Sequence, residues 1–446
     1  MEFINRETEM ERLKNRLNSK SSEFITIYGR RRIGKSELVK QVLKSEDIYF
    51  QATESTPELQ LNDFIEAVQR TYPEVKTVRQ DWEAILEFLA DKDATLAIDE
   101  FPFLVESDSS LPSIFQRFWD NQESEMNLVL IGSSISIMED KVLSSGSPLY
   151  GRWTDRIDLQ PLGFQNAAKF FPNYSAESKI NTWSVFGGTP HYLKTLNPEQ
   201  SFQKNVTALL LDQQGRLFNE PEFLLRTELS QPQRYMAILK SIAAGNTTRN
   251  RISNATGIEN SSIGTYLSKL ERLRLVEREV PVTEEPPRSR KGRYRIMTPL
   301  VRFWFRFIYG NEDTISLTDN PFHDIVKPEL NDYVSRGFED LCIQKLPELT
   351  ERDFEKVGRW WHKEHEIDVA GIYREGGKLL GECKYTNSDI GLKLLRDLEE
   401  KKEEIRIGGR TDYALFSKSG FTERLRDEAD ERGDLRLFKL KDLTNS

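Results

Sequence analysis

The sequence lacks the features that mark a secreted, disulfide-stabilised or membrane-spanning protein. Only two of its 446 residues are cysteines, Cys342 and Cys383, and they can form neither a disulfide framework nor a CxxC zinc site. No apolar run approaches the roughly 20 residues of a membrane span, and the first ten residues lack a signal-peptide core. We therefore expect a protein of the reducing cytoplasm that does not contact a membrane.

An excess of basic charge is also missing. The formal net charge is −9, which argues against nonspecific coating of nucleic acid, so any nucleic-acid contact must come from a local basic patch. Internal repeats and low-complexity segments are absent as well. The length predicts about three domains, at roughly 100–200 residues for each domain.

The apolar pattern changes along the chain. Residues 23–29, 95–100 and 128–134 predict buried strands of a parallel sheet, separated by amphipathic helices. A helical region follows, then three helix signals with a basic hairpin, and finally a mixed region of helices and strands. We predict a multidomain α/β protein with four segments, residues 1–164, 165–228, 229–312 and 313–446.

A phosphate-binding motif follows the first predicted strand. Residues 29–36 match GxxxxGK[ST], and a helical run continues from them. Backbone N–H groups of such a loop surround phosphate oxygens, while Lys35 would reach the β- and γ-phosphates of ATP and Ser36 would bind Mg²⁺. The predicted nucleotide-binding residues of this loop are Gly29, Arg30, Arg31, Arg32, Ile33, Gly34, Lys35 and Ser36.

Polar residues end the next two predicted strands. Asp99 can hold the Mg²⁺ shell, and Glu100 beside it can orient the attacking water. Ser133 and Ser134 could contact the γ-phosphate or the water, or could simply begin a turn. Arg152, after a tight turn, could stabilise transition-state charge in cis or from a neighbouring subunit of a homo-oligomer, or could form a surface salt bridge.

These motifs together resemble the archaeal ATPase family within the AAA+ and STAND-like P-loop proteins. The resemblance covers about residues 1–225 and rests on residues 3–9, 29–36, 96–100, 130–134, 148–152 and 187–190. It implies a P-loop core with a helical lid that acts as an ATP switch. Arg6 and Glu7 would help to shape the base pocket, and residues 187–190 would close the lid over the nucleotide. We expect His191, which follows them, to be structural.

The third segment predicts a winged helix that binds double-stranded DNA. Residues 232–244, 248–255 and 259–273 have helical apolar spacing, and a basic stretch that resembles two strands around a tip follows them. Protein docking and a merely solvated tip are the alternatives. The candidate DNA-contacting residues are Ser261, Ser262 and Thr265 on the third helix and Arg290, Lys291 and Arg293 on the tip.

Acidic residues and a lysine form the last candidate site. Glu382 and Lys384 share one face of a predicted strand, and a three-residue turn before that strand would place Asp368 opposite Glu382. Two such carboxylates suit Mg²⁺ or Mn²⁺, with Glu339 on a preceding helix as a further ligand. Lys384 would orient or deprotonate the attacking water. The alternative is an ion-paired hairpin.

This constellation resembles the PD-(D/E)xK nuclease superfamily over about residues 325–440. Glu339 in FED, Asp368 in EIDVAG, and Glu382 and Lys384 in GECK carry the resemblance, although isoleucine stands where the family name has proline. It implies a restriction-endonuclease-like α/β domain that cleaves DNA with a divalent metal.

Taken together, the motifs predict an ATP-gated DNA-processing protein with a metal-dependent nuclease domain. A different class of protein is a non-cleaving, ATP-dependent regulator in which the nuclease fold is a retained scaffold. A helicase-like motor is a third possibility, but no further motor motif supports it.

Overall fold

The computed structural model describes residues 6–229, 231–286 and 288–444. The chain divides into two compact units, residues 1–162 and 163–446. Phe3, Ile4 and Asn5, which contribute to the predicted family motif, lie outside the described residues. Within those ranges, no helix is both long and apolar enough to cross a membrane.

The first unit contains a five-stranded parallel sheet with the strand order β2-β3-β4-β1-β5. Its strands are β1 (Phe24–Tyr28), β2 (Ile48–Gln51), β3 (Thr95–Asp99), β4 (Asn127–Gly132) and β5 (Asp155–Asp158). Its helices are α1 (Glu7–Leu17), α2 (Lys35–Lys40), α3 (Pro57–Thr71), α4 (Trp82–Ala90), α5 (Phe101–Ser107), α6 (Leu111–Asn121) and α7 (Ile135–Met138).

Both faces of this sheet are covered, as expected for parallel strands that read as continuous apolar runs. Alternate residues of β1 enter different cores: Phe24 packs with the cluster that includes Phe64 and Phe115, while Ile25 packs with the cluster that includes Leu13 and Leu38. The predicted strands 23–29, 95–100 and 128–134 correspond to β1, β3 and β4. Sequence reasoning missed β2 and β5, which have only four residues each and alternate in burial.

The second unit is richer in helices. Its helices are α8 (Phe164–Ala168), α9 (Ala176–Phe186), α10 (Pro190–Thr195), α11 (Phe202–Val206), α12 (Glu220–Glu228), α13 (Pro232–Ala243), α14 (Arg249–Thr256), α15 (Asn260–Arg272), α16 (Pro299–Phe303), α17 (Glu312–Leu317), α18 (Leu330–Thr350), α19 (Leu392–Glu400), α20 (Glu423–Glu431) and α21 (Leu440–Thr444). Its strands are β6 (Val276–Glu279), β7 (Arg293–Ile296), β8 (Phe354–His362), β9 (His365–Tyr373), β10 (Lys378–Lys384), β11 (Thr411–Ser417) and β12 (Leu435–Lys439).

Helices α13, α14 and α15 match the three predicted helices within one residue at each end, and the antiparallel hairpin β6–β7 follows them. Thr248 caps α14 by accepting a hydrogen bond from the Arg251 N–H, and Gly257 ends it at φ +70°. These local signals explain why this part of the chain was predictable from its sequence.

A second five-stranded sheet, of order β12-β11-β10-β9-β8, forms a separate C-terminal sheet domain. Strands β8, β9 and β10 pair antiparallel, whereas β10, β11 and β12 pair parallel. Trp360, Trp361 and His362 belong to β8, the first strand of this sheet along the chain. The two tryptophans are buried, so they serve the packing of the sheet.

A buried arginine joins the hairpin to this sheet. Arg359 on β8 is 2% exposed and forms ion pairs with Glu279 of β6 at 3.1 Å, Glu339 at 3.0 Å and Asp340 at 2.8 Å, the last two on α18. Burial alone would raise the pKa of Asp340, but Arg295 and Arg359 lower it to about 2. The network therefore holds three segments together through ion pairs around one buried guanidinium.

Replacing Arg359 by methionine should destabilise the second unit by about 3–5 kcal/mol, because three carboxylates would lose their buried counter-charge. The loss is measured from the shift of the urea unfolding curve. As a control, Arg226→Met removes an exposed ion pair with Glu222 within α12 and should cost less than about 0.5 kcal/mol. Equal losses in the two variants would contradict a stabilising role for the buried network.

Candidate functional sites

The phosphate loop connects β1 to α2. Gly29 begins it at φ +146°, and a Cβ atom at this position would lie 2.4 Å from the Leu159 carbonyl oxygen, so glycine is required. Gly34 has φ +94° and begins α2. The tight approach to Leu159 sets the path of the loop at the carboxyl end of the sheet, where open α/β sheets bind ligands.

Two basic residues hold this loop from different sides. The buried Lys35 donates hydrogen bonds from Nζ to the carbonyl oxygens of Gly29 and Arg30 at 3.0 and 2.9 Å. Arg6, also buried, donates to the carbonyl oxygens of Ile33 at 3.2 Å and Gln160 at 2.5 Å. The structure thus places Arg6 as a brace of the loop, whereas the family resemblance implied a role in the base pocket.

Ser36 and Asp99, the predicted magnesium ligands, are linked by a residue that sequence reasoning missed. Tyr49 on β2 donates its hydroxyl to Asp99 Oδ2 at 2.5 Å and lies within hydrogen-bond reach of Ser36. Burial and the Asp99 carboxylate raise the pKa of Tyr49, which therefore stays protonated. Only the pairing of β2 with β3 brings Tyr49 here, so no local motif could have identified it.

Glu100 and Ser133 are in direct contact. The Ser133 hydroxyl donates to Glu100 Oε2 at 2.6 Å, and the Ser133 N–H donates to the same atom at 3.2 Å. Because β4 lies between β1 and β3, its carboxyl end places Ser133 between the phosphate loop and the acidic pair. The serine predicted to contact the γ-phosphate or water therefore holds the predicted water-orienting glutamate.

Arg152 adopts the salt-bridge alternative. Its Nε and a terminal nitrogen donate to the two carboxylate oxygens of Asp120 at 2.7 and 2.8 Å, and it also donates to the Pro148 carbonyl oxygen. The Arg152 guanidinium thus makes all these hydrogen bonds to residues of the first unit. None of these contacts indicates a catalytic role in cis.

The acidic residues of the C-terminal sheet domain converge as the sequence predicted. Tyr373 donates its N–H to the Gly377 carbonyl oxygen at 3.1 Å across a three-residue loop, and the register continues to the Gly381–Val369 pair. The next pair in this register is Glu382 with Asp368. Asp368 Oδ2 accepts the backbone N–H of Cys383 at 2.9 Å, which fixes its carboxylate beside β10.

Lysines balance these two carboxylates. Lys384 Nζ lies 3.0 Å from Glu382 and 3.8 Å from Asp368, while Lys401 donates to the other oxygen of Glu382 at 2.7 Å. Burial and the neighbouring Glu382 and Glu339 carboxylates raise the pKa of Asp368 to about 7. Burial would also raise the pKa of Glu382, but the two lysines lower it. One carboxylate is thus easily protonated beside one that stays ionised.

Glu339, the third predicted metal ligand, forms ion pairs with two arginines. It pairs with Arg359 at 3.0 Å and with Arg336 at 3.6 Å. In the described parts of the chain, no three His, Cys, Asp or Glu side chains form a ready-made group that could hold a metal ion. The structure therefore brings Glu339 near Asp368 without directing it at a shared ligand position.

The predicted DNA-contacting residues fall into two groups. Ser261, Ser262 and Thr265 are exposed near the beginning of α15, and Arg290 is exposed on the hairpin tip. Lys291 and Arg293 instead have partners within the chain. Lys291 pairs with Glu284 at 2.6 Å, while Arg293 pairs with Glu366 at 3.0 Å and lies over the ring of Trp361 at 4.5 Å.

Comparisons with known proteins support the assignment of the phosphate loop to an ATPase domain. A family described as an ATPase domain predominantly from Archaea matches residues 3–196, and a family described as archaeal and bacterial proteins of unknown function matches residues 304–404. The Walker-type ATPase of Pyrococcus abyssi has a TM-score of 0.53 at 19% identity, covering 68% of this chain and 96% of that one. Motif, sheet and family match together define a P-loop ATPase domain.

Full-length similarity then identifies the family. An uncharacterized protein of Methanocaldococcus jannaschii is 35% identical over 457 residues, which cover 99% of this chain and 100% of that protein. An uncharacterized ATP-binding protein of the same organism is 41% identical over 46 residues, or 10% of this chain and 78% of that protein. The chain belongs to an archaeal ATPase family together with the full-length relative, and its first domain supports ATP binding and hydrolysis.

Replacing Glu100 by glutamine should lower ATP turnover by about 100-fold or more while ATP binding is retained, because the amide cannot accept a proton from the attacking water. Steady-state hydrolysis and nucleotide affinity are measured side by side. Glu106→Gln, at an exposed position on α5, is the matched control and should leave both unchanged. A Glu100→Gln protein with normal turnover would remove Glu100 from the mechanism.

Proposed function

We propose that this protein is an ATP-gated DNA-processing enzyme whose C-terminal sheet domain cleaves phosphodiester bonds with a divalent metal. The convergence of Asp368, Glu382 and Lys384 at one end of β9 and β10 carries this proposal. Two carboxylates this close together, one of them buried, cost free energy unless a cation or other opposite charges compensate them. Their order and spacing also resemble those of the nuclease superfamily.

In the ATPase domain, each residue has a separate task. Lys35 would leave the loop carbonyls and contact the β- and γ-phosphates, while Ser36 and Asp99 would hold Mg²⁺, which neutralises phosphate charge when bound. The Tyr49 hydroxyl would then give up Asp99 or share it. Glu100 would orient the attacking water only after its hydrogen bonds to Ser133 rearrange. ATP binding and turnover would therefore alter several contacts at the carboxyl end of the sheet.

In the C-terminal domain, Asp368 and Glu382 fit a divalent cation such as Mg²⁺ or Mn²⁺. Both present hard oxygen atoms, and burial together with the neighbouring carboxylates raises the pKa of Asp368, so that a bound cation would favour its ionised form. Such a cation would supply charge stabilisation at the scissile phosphate. Lys384 would orient or deprotonate the attacking water, and Glu339 would contribute only after leaving Arg359.

For DNA contact, we propose the winged-helix arrangement with a smaller basic surface than the sequence suggested. Exposed Ser261, Ser262 and Thr265 would face the major groove, because base contacts usually arise near the beginning of the recognition helix. Arg290 would contact a phosphate. Lys291 and Arg293 are better explained as the attachment of the hairpin to its own domain.

A non-cleaving regulator is the second candidate function, and specific contacts favour it. Glu339 is held by two arginines, and Glu382 is capped by both Lys384 and Lys401. These ion pairs compensate the negative charge of the acidic cluster without a metal ion. In such a regulator, the ATPase domain would set a state that is read through DNA or protein binding.

Plasmid and linear duplex DNA should be cut in Mg²⁺ or Mn²⁺, and Asp368→Ala should reduce the rate by at least about 100-fold, since it removes a carboxylate that the metal needs. Cleavage is followed on gels with and without ATP. The control is Asp389→Ala, which removes an exposed carboxylate of the same domain outside the cluster. This variant should cleave DNA at the normal rate.

Cleavage of the bound duplex distinguishes the two candidate functions. An enzyme would bind duplex DNA and cut it, whereas a regulator would bind it without cleavage in either metal while still hydrolysing ATP. Cleavage that persists at the same rate in Asp368→Ala would indicate a contaminating nuclease and would reject this site.

The affinity for Mn²⁺ should fall as the pH drops below about 7, because the Asp368 proton must leave before the cation binds. The sign follows from the raised pKa. Protonated Asp368 contributes stability that is complete at low pH and lost as the pH rises through about 7, where the ionised form becomes available to metal. Calorimetric Mn²⁺ titrations on either side of that pH measure the change. An affinity independent of pH, or one retained in Asp368→Asn, would contradict it.

A further inference from the structure

A cavity in the second unit lies apart from both candidate sites. Its volume is about 330 Å³, and it lies between the end of α13, strand β7 and the first turns of α16 and α18. Its lining combines apolar side chains, among them Ile242, Ala243 and Ile296, with several arginines. Neither the ATPase motif nor the acidic cluster uses any of these residues.

Arginines outnumber carboxylates among the residues that line this cavity. Five arginines line it, against three carboxylates. The arginines are Arg293, Arg295, Arg302, Arg306 and Arg336, and the carboxylates are Glu279, Asp332 and Glu366. Glu279 is already shared between Arg336 at 2.6 Å and Arg359 at 3.1 Å, and Glu366 pairs with Arg293, so these carboxylates are occupied.

Arg302 is the lining arginine that lacks an acidic partner among the described residues. In the described part of the chain it forms no ion pair, and its buried Nε atom has no hydrogen-bond partner. Its guanidinium lies over the ring of Tyr333 at 4.5 Å, which fixes its orientation at the cavity wall. Arg302 lines the cavity without an acidic partner, so an anionic ligand in the cavity would supply the counter-charge that the described residues do not.

Arg306 adds a second, movable donor. It pairs with the exposed Glu329 at 2.5 Å and lies 3.8 Å from Asp332, whose side chain is largely exposed. Exposed pairs of this kind contribute little, so Arg306 could exchange Glu329 for a ligand oxygen at small cost. Arg302 and Arg306 are four residues apart on consecutive helical turns and both line the cavity.

We propose that this cavity binds a small organic phosphate of about the size of a nucleoside monophosphate. Several guanidinium forks suit a phosphate, which presents three terminal oxygens to donors. The apolar side chains of the lining suit a compact organic body, and the volume lies at the lower end of the roughly 300–1,000 Å³ of typical ligand pockets. Inorganic phosphate alone would leave these apolar side chains uncovered.

The position of the cavity suggests what its ligand would do. Arg336 lines the cavity and also contacts Glu279 and, at 3.6 Å, Glu339. A phosphate that attracts Arg336 would weaken its hold on Glu339, the acidic residue beside Asp368. Ligand binding does not require nuclease activity, so the experiment on this site can fail or succeed independently of the proposed cleavage.

Calorimetric titration of the full chain with adenosine 5′-monophosphate tests the site. The chain carries Lys35→Ala, so that the phosphate loop contributes as little as possible to binding. We expect one saturable site, with an affinity that falls by about tenfold or more in Arg302→Met, because a charge-assisted hydrogen bond is lost. Arg306→Met, a more exposed change that endangers folding less, should show the same direction.

Arg226→Met is the matched control, since it removes an arginine from the same unit far from the cavity lining and should leave the affinity unchanged. Inorganic phosphate should bind at least tenfold more weakly than the monophosphate. The proposal is overturned if no saturable binding occurs at millimolar monophosphate, or if both cavity variants bind normally. Equal affinity for inorganic phosphate would reject the organic part of the ligand.

Discussion

The charge of one buried side chain constrains much of the second unit. Arg359 is almost completely buried, and a guanidinium cannot remain in such a place without acidic partners. Its partners come from the hairpin and from α18, so β6, α18 and β8 must assemble together. Further contacts reinforce the junction: Val282 donates to the Arg359 carbonyl oxygen at 2.8 Å, and Trp361 donates to the Lys291 carbonyl oxygen at 3.1 Å.

This arrangement connects structural and functional features of the unit. The network takes Glu339 away from the acidic cluster, and through Arg336 it also reaches the arginine-lined cavity. The hairpin that the sequence suggested for DNA phosphates is attached to the C-terminal sheet by Arg293.

In the ATPase domain, the candidate site residues are held by hydrogen bonds rather than by a shared buried charge. Its chemistry stands at the carboxyl ends of neighbouring strands, and each important side chain already has a polar partner: Lys35 the loop carbonyls, Asp99 the Tyr49 hydroxyl, Glu100 the Ser133 hydroxyl. Nucleotide binding would exchange these contacts for contacts with phosphate and metal. Such an exchange suits a switch, because the ligand-bound and ligand-free arrangements both satisfy buried polar groups.

Most of the local organisation was determined by the sequence itself. Short-range apolar periodicity, glycine positions and turn length predict the phosphate loop, the strands that lead to Asp99 and Ser133, the helices α13 to α15, and the β9–β10 hairpin that brings Asp368 near Glu382. These signals act over a few residues. What they could not specify is which side chains meet after the elements pack, since that depends on strand order and helix placement.

Only the tertiary structure decided the roles of Tyr49, Glu339, Arg152 and Arg293. Tyr49 reaches Asp99 because β2 lies beside β3, and Glu339 turns to Arg359 because β8, which sequence reasoning missed, runs along α18. Charged side chains are long and choose among several partners within reach, so their final pairing is a property of the packed chain. The sequence determined the chemical groups, and the fold decided which charged groups form ion pairs and which, like Arg302, pack against an aromatic ring instead.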